Sequence, residues 1–108
     1  MKYNLKNKLL SQLKNSKSLK NQVEILGYFY VENYNYRLKN IIIQEAIKEL
    51  ELPIIFTKKG IKKGLKNWHG WRRSNKPKGI QYCVKSHSGY VVAFIIPEKF
   101  LKSPKSKF

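Results

Sequence analysis

Residues 80–96, IQYCVKSHSGYVVAFII, decide the fold. Ile80, Tyr82 and Val84 alternate with Gln81, Cys83 and Lys85, the two-residue period of a strand with one apolar face. His87, Ser88 and Gly89 follow as a turn, and Gly89 suits a positive φ. Residues 90–96 are apolar on both faces, as a strand buried within a sheet must be, and Pro97 ends the run. A hairpin with so apolar a strand needs a cover, which the rest of the chain has to supply.

Immediately upstream, residues 53–57 (PIIFT) read as a short buried strand. Residues 58–70 read as a helix, because Ile61, Leu65 and Trp68 fall within an arc of about 60° at 3.6 residues per turn. Gly60 and Gly64 lie together on its flank, each costing about 1 kcal/mol against alanine, so this helix requires a packing partner or a ligand. Gly70 would stop it. Residues 71–79 (WRRSNKPKG) then form a polar loop, longer than most connections in compact domains.

Further out, Leu38, Ile42, Ala46, Ile47 and Leu50 repeat with a helical period up to Pro53. Ile41, Ile42 and Ile43 also suit a strand, which leaves a hairpin over residues 25–43 as the alternative. Residues 22–31 (QVEILGYFYV) are rich in β-branched and aromatic types and read as a strand with a bulge at Gly27. The Asn- and Tyr-rich segment after it reads as a turn. Residues 4–16 form an amphipathic helix with Asn4 as N-cap and Leu5, Leu9, Leu10 and Leu13 on its apolar side. The expected fold is therefore α+β, in the order α-β-α-β-α-β-β. A mixed or antiparallel sheet of three to four strands carries two or three helices packed on one face. One domain spans residues 1–97, and residues 98–108 form a basic, flexible tail.

The 108 residues are 42% hydrophobic and 13% aromatic, the composition of a folded domain and not of a disordered basic tail. Net charge is +17, from 23 cations against 6 acids. AT-rich codon usage accounts for part of the excess of Lys over Arg, but not for the complete lack of Asp or for an acid-free run over residues 52–97. A compact state with that self-repulsion calls for a polyanionic partner. The single cysteine, Cys83, excludes an internal disulfide and a cysteine-based zinc site and points to a reducing compartment. No apolar run is long enough to span a bilayer, and the first twenty residues carry neither Arg nor a continuous apolar block. The expected location is the cytoplasm or an organellar matrix, without secretion or membrane contact.

The cations concentrate in one place. Lys58, Lys59, Lys62, Lys63, Lys66, Arg72, Arg73, Lys76 and Lys78 are interleaved with Gly and Trp and with no acid. Consecutive lysines usually form no more than a solvated face. Here the tryptophans, the paired arginines and the missing acids favour a phosphate backbone with unpaired bases, since cations release counterions and indoles stack on bases. Trp68 belongs with the apolar stripe of the expected helix. Trp71, beyond its end, would either stack on a base, a contact worth about 1–3 kcal/mol, or pin the loop to the domain. Arg72 and Arg73 offer bidentate geometry that lysine lacks. Tyr82 and Tyr90 are further stacking candidates. The three glutamates Glu45, Glu49 and Glu51 turn their element away from such a partner.

The residues thus point to an RNA-binding protein, a structural component of a ribonucleoprotein such as a ribosomal protein. Its partners would be structured RNA, ribosomal RNA above all, and neighbouring proteins. No cofactor and no metal is implied. A small viral or plasmid DNA-binding protein is one alternative. The other is a metal-independent ribonuclease of toxin type, with His69 and His87 as the acid–base pair beside Arg72, Arg73 and Lys85. A metal-dependent nuclease would need clustered carboxylates, which a chain without Asp does not provide. Cys83 is expected to have no chemical role.

Overall fold

The computed structural model describes residues 2–61 and 69–101. Three helices come first, α1 (Lys2–Asn15), α2 (Leu19–Glu32) and α3 (Lys39–Glu49). Four strands follow, β1 (Ile55–Ile61), β2 (Gly70–Asn75), β3 (Lys78–Lys85) and β4 (Tyr90–Pro97), and then a 3-10 turn at Glu98–Phe100. The strands form one antiparallel sheet in the order β1-β4-β3-β2. The expected class holds: α+β, a four-stranded antiparallel sheet and helices on one face. The chain order is α-α-α-β-β-β-β, which changes three of the local expectations.

Residues 22–31 are helical, not a strand. Ser18 caps α2, its hydroxyl accepting from the Asn21 amide at 3.1 Å. Val23, Leu26, Gly27 and Tyr30 then fall at i, i+3, i+4 and i+7, and all four are buried. Burial of that stripe overrides the β propensity of the residues, whose preference for strands is largely a preference for packed surfaces. Gly27 is the contact point of helix and sheet: a Cβ there would come 2.9 Å from the Tyr82 ring and 3.1 Å from Val84 Cγ1.

The first residues of the expected basic helix belong to β1. Lys58, Gly60 and Ile61 pair with Val92, Val91 and Tyr90, and a register shift between Lys58 and Gly60 is accommodated by Gly60 at φ +84°. The rest of that expected helix, with Lys62, Lys63, Lys66 and Trp68, lies outside the described residues. Residues 71–79 are likewise no loop. They supply β2, a turn with a cis Lys76–Pro77 peptide, and the start of β3. A polar sequence suits β2 because it is an edge strand, where exposed charges are the rule.

The main core joins Leu9, Leu13, Val23, Leu26, Ile42 and Ile43 of the helices to Val84, Val92, Phe94 and Ile96 of the central strands. The alternate residues Cys83, Ala93 and Ile95 form a second buried cluster on the sheet face turned away from the helices. Past Pro97, Glu98–Phe100 form the 3-10 turn and Leu101 packs against the main core, and the rest of the expected tail lies outside the described residues.

Candidate nucleic-acid interface

Charge divides between the two layers. The helical layer carries Glu24, Glu32, Glu45 and Glu49. Lys6 of α1 bridges two of them, Glu49 at 2.5 Å and Glu45 at 3.6 Å. The Glu49 hydrogen bond is the main cause that holds the Lys6 ammonium above its ordinary pKa. Residues 52–97, which include the four strands, contain no acid at all. Glu98, just past β4, lies 3.7 Å from Lys78.

Alternation along the strands assigns each described cation to a face. β1 and β2, consecutive in the chain, lie on opposite edges of the sheet. Lys59, at the β1 bulge, and Arg72 of β2 both lie close enough to Cys83 to favour its thiolate. They therefore reach the far face from both edges, over the cluster of Cys83, Ala93 and Ile95. Burial outweighs the two cations, and the Cys83 thiol is pushed up from its ordinary value. Lys85 shares the far face, paired with Val91. Arg73 and Lys58 sit on the helix side of the two edge strands. Lys76 and Lys78 are exposed around the β2–β3 turn.

Two aromatic candidates are engaged inside the protein. Trp71 is half-buried against the main core, its ring 5.1 Å from that of Tyr82 at 45°. Of the two readings of Trp71, its packing agrees with the pin: alternation turns Trp71 toward the helices, and it fastens the β2 edge to the domain. Tyr82 lies under Gly27, and burial, with Glu24 adding to it, pushes its hydroxyl above the ordinary pKa. Tyr90 remains 38% exposed.

The two histidines have different partners. His69 Nε2 lies 3.1 Å from the Lys85 carbonyl oxygen, and the His87 ring packs on Tyr34 with centroids 4.7 Å apart. Among the described residues no hydrogen bond joins them. No group of three or more His, Cys, Asp and Glu residues placed to hold a metal occurs there either, nor any helix long and apolar enough to cross a membrane.

A groove of about 1040 Å³ runs between α1 and α2, but Glu24 and Glu32 line it, which is the wrong sign for a phosphate. A smaller cavity at the α2–α3 corner has the right sign and includes residues that the sequence did not single out: Tyr30, Tyr34, Lys39, Asn40, Ser86 and Ser88. No local pattern announces it, since its walls come from four separate stretches of the chain. No family model, curated protein or solved structure matches this chain.

Proposed function

We propose that this protein binds structured RNA as a seated component of a ribonucleoprotein, with the ribosome as the leading case, in the cytoplasm or an organellar matrix. The observation that carries the reading is the division of charge between the layers. The helices neutralise part of their charge internally, while the sheet holds Lys58, Lys59, Arg72, Arg73, Lys76, Lys78 and Lys85 without an acid in its strands. Lys62, Lys63 and Lys66 add to the same acid-free run in the sequence. Capture is electrostatic, through release of counterions from the phosphates, and the sheet with its two cationic edges supplies the shape.

Sedimentation with ribosomal subunits through a high-salt gradient tests the reading, because weak nonspecific binding does not survive such salt. Retention supports it, whereas equal affinity for duplex DNA and structured RNA at matched salt overturns it. If six cations contact phosphates of a duplex, log K falls with log salt at a slope of about −5, a roughly thousandfold loss between 50 and 200 mM. Cleavage of RNA in EDTA that is abolished by His69→Ala or His87→Ala would replace the binding role with a catalytic one.

A further inference from the structure

The groove of about 1040 Å³ between α1 and α2 plays no part in RNA capture. Its walls run from Leu5 to Asn15 on α1 and from Asn21 to Glu32 on α2. At 1.5 Å per residue each wall is about 15 Å long, roughly three turns of helix. Between them lie Leu5 and Ile25, half-buried and packed against the main core.

The α2 wall carries a pattern. Glu24, Tyr28 and Glu32 recur at i, i+4 and i+8, within an arc of about 80°. Tyr28 thus lies midway between two carboxylate-bearing positions about 12 Å apart along the axis. Tyr28 is 67% exposed, the most exposed large apolar side chain among the described residues. Glu45, Glu49 and Glu98 each have a lysine within ion-pair distance, whereas Glu24 and Glu32 have none among the described residues. Lys8, on the α1 wall, is the single cation that lines the groove. In a chain of net charge +17, two acids left without a lysine beside an exposed ring match a partner that is cationic and apolar at once.

The same features select among occupants. Carboxylates repel a phosphate backbone, so nucleic acid does not suit the groove. A second copy does not suit it either, because the apolar sides of the three helices, with Leu13, Leu26 and Ile42, are buried in the copy's own core. A helix from a different protein does. Three turns fill the groove, cations two turns apart reach both carboxylates, and an apolar side chain midway covers the ring.

We propose that the α1–α2 groove docks an amphipathic helix of a neighbouring protein, whose lysines or arginines meet Glu24 and Glu32 and whose apolar side chains cover Tyr28 and Ile25.

The test is an NMR titration of the full chain with an alanine-rich helical peptide that carries two lysines eight residues apart and a leucine midway. Salt at about 0.15 M screens the remaining positive charge of the molecule beyond about 8 Å. A second peptide has glutamates in place of the lysines, and spermidine supplies charge without a helix. The lysine peptide should shift the amide signals of Glu24, Tyr28 and Glu32, and the glutamate peptide should not. Glu24→Gln with Glu32→Gln should weaken the lysine peptide about fivefold. Tyr28→Ala should weaken it about tenfold. Lys58→Gln, on the sheet, is the control and should leave its affinity unchanged. No response to the lysine peptide, an equal response to the glutamate peptide or to spermidine, or binding unmoved by both groove variants overturns the proposal. Concentration-dependent shifts of the same signals without peptide would give the groove to a second copy and overturn it as well. RNA binding is read in a separate experiment, so either result can fail without the other.

Discussion

Residues 1–51, which include the three helices, hold nine cations and five glutamates, and residues 52–97, which include the four strands, hold ten cations and no acid. The number of positive groups is therefore nearly the same in the two layers, and the acids make the difference. In the helices Lys6 draws Glu45 and Glu49 together across α1 and α3. In the sheet Lys58 and Lys59 lie on one edge strand and Arg72 and Arg73 on the other, and Lys78 lies 3.7 Å from Glu98. The helical layer holds acids that offset part of its charge, and the strands of the sheet hold none. The count of lysines alone would not separate the two layers.

The comparison breaks most readily under substitution of cations from each layer. The triple change Lys59→Gln, Arg72→Gln and Arg73→Gln should lower the salt slope of RNA affinity by about 3, and at 0.1 M salt should weaken binding by several-hundred-fold, since each released counterion is worth just under about tenfold. The matching triple on the helical side, Lys14→Gln, Lys17→Gln and Lys20→Gln, should lower the slope by less than about 1. Filter binding across a salt series reads both, and equal slopes would erase the distinction between the layers.

A smaller effect is expected where the layers meet. Gly27→Ala places a methyl group against the Tyr82 ring and Val84, so the gain in helix propensity is outweighed by overpacking, a net loss of about 1–2 kcal/mol in urea unfolding. Gly27→Ala with Tyr82→Leu should recover part of that loss.

The smallest effect is alkaline. Burial raises the Tyr30, Tyr82 and Cys83 pKa values above their ordinary ones. Between the unfolded and folded pKa of such a group the folded state holds more protons, so stability falls as pH rises. The contribution is complete below about pH 9 for the thiol and about pH 10 for the phenols, and it is lost as pH rises through the raised values. Urea midpoints at pH 7 and pH 10.5 should therefore differ by less in Cys83→Ala and Tyr82→Phe than in the unmodified chain, beyond any common offset.

The hairpin of β3 and β4 was legible because its strands carry their pattern in adjacent residues: Ile80, Tyr82 and Val84 alternate, and Val91 to Ile96 are apolar throughout. The helices α1 and α3 were legible for the same reason, through Leu9 with Leu13 and Ile42 with Ala46. α2 was misread because Tyr28, Phe29, Tyr30 and Val31 favour strands locally, and only the stripe from Val23 to Tyr30 against the sheet makes them helical. β2 was misread because an edge strand can stay polar, so Arg72, Arg73 and Asn75 looked like a loop. The basic candidates could be named by composition, but their sorting onto edges and faces required the strand order. The cavity at the α2–α3 corner was out of reach, since Tyr30, Lys39, Lys58 and Ser86 become neighbours only when the chain is folded.

Both outer strands of the sheet carry positive side chains, Lys58 and Lys59 on one and Arg72 and Arg73 on the other. Free backbone groups along such margins invite a second copy to add its own strand, and mutual repulsion keeps copies apart. The same groups that would grip a polyanion thus act as a colloidal guard while none is bound. Light scattering of the purified chain should accordingly show single molecules in dilute buffer and growing self-association once concentrated salt masks that repulsion.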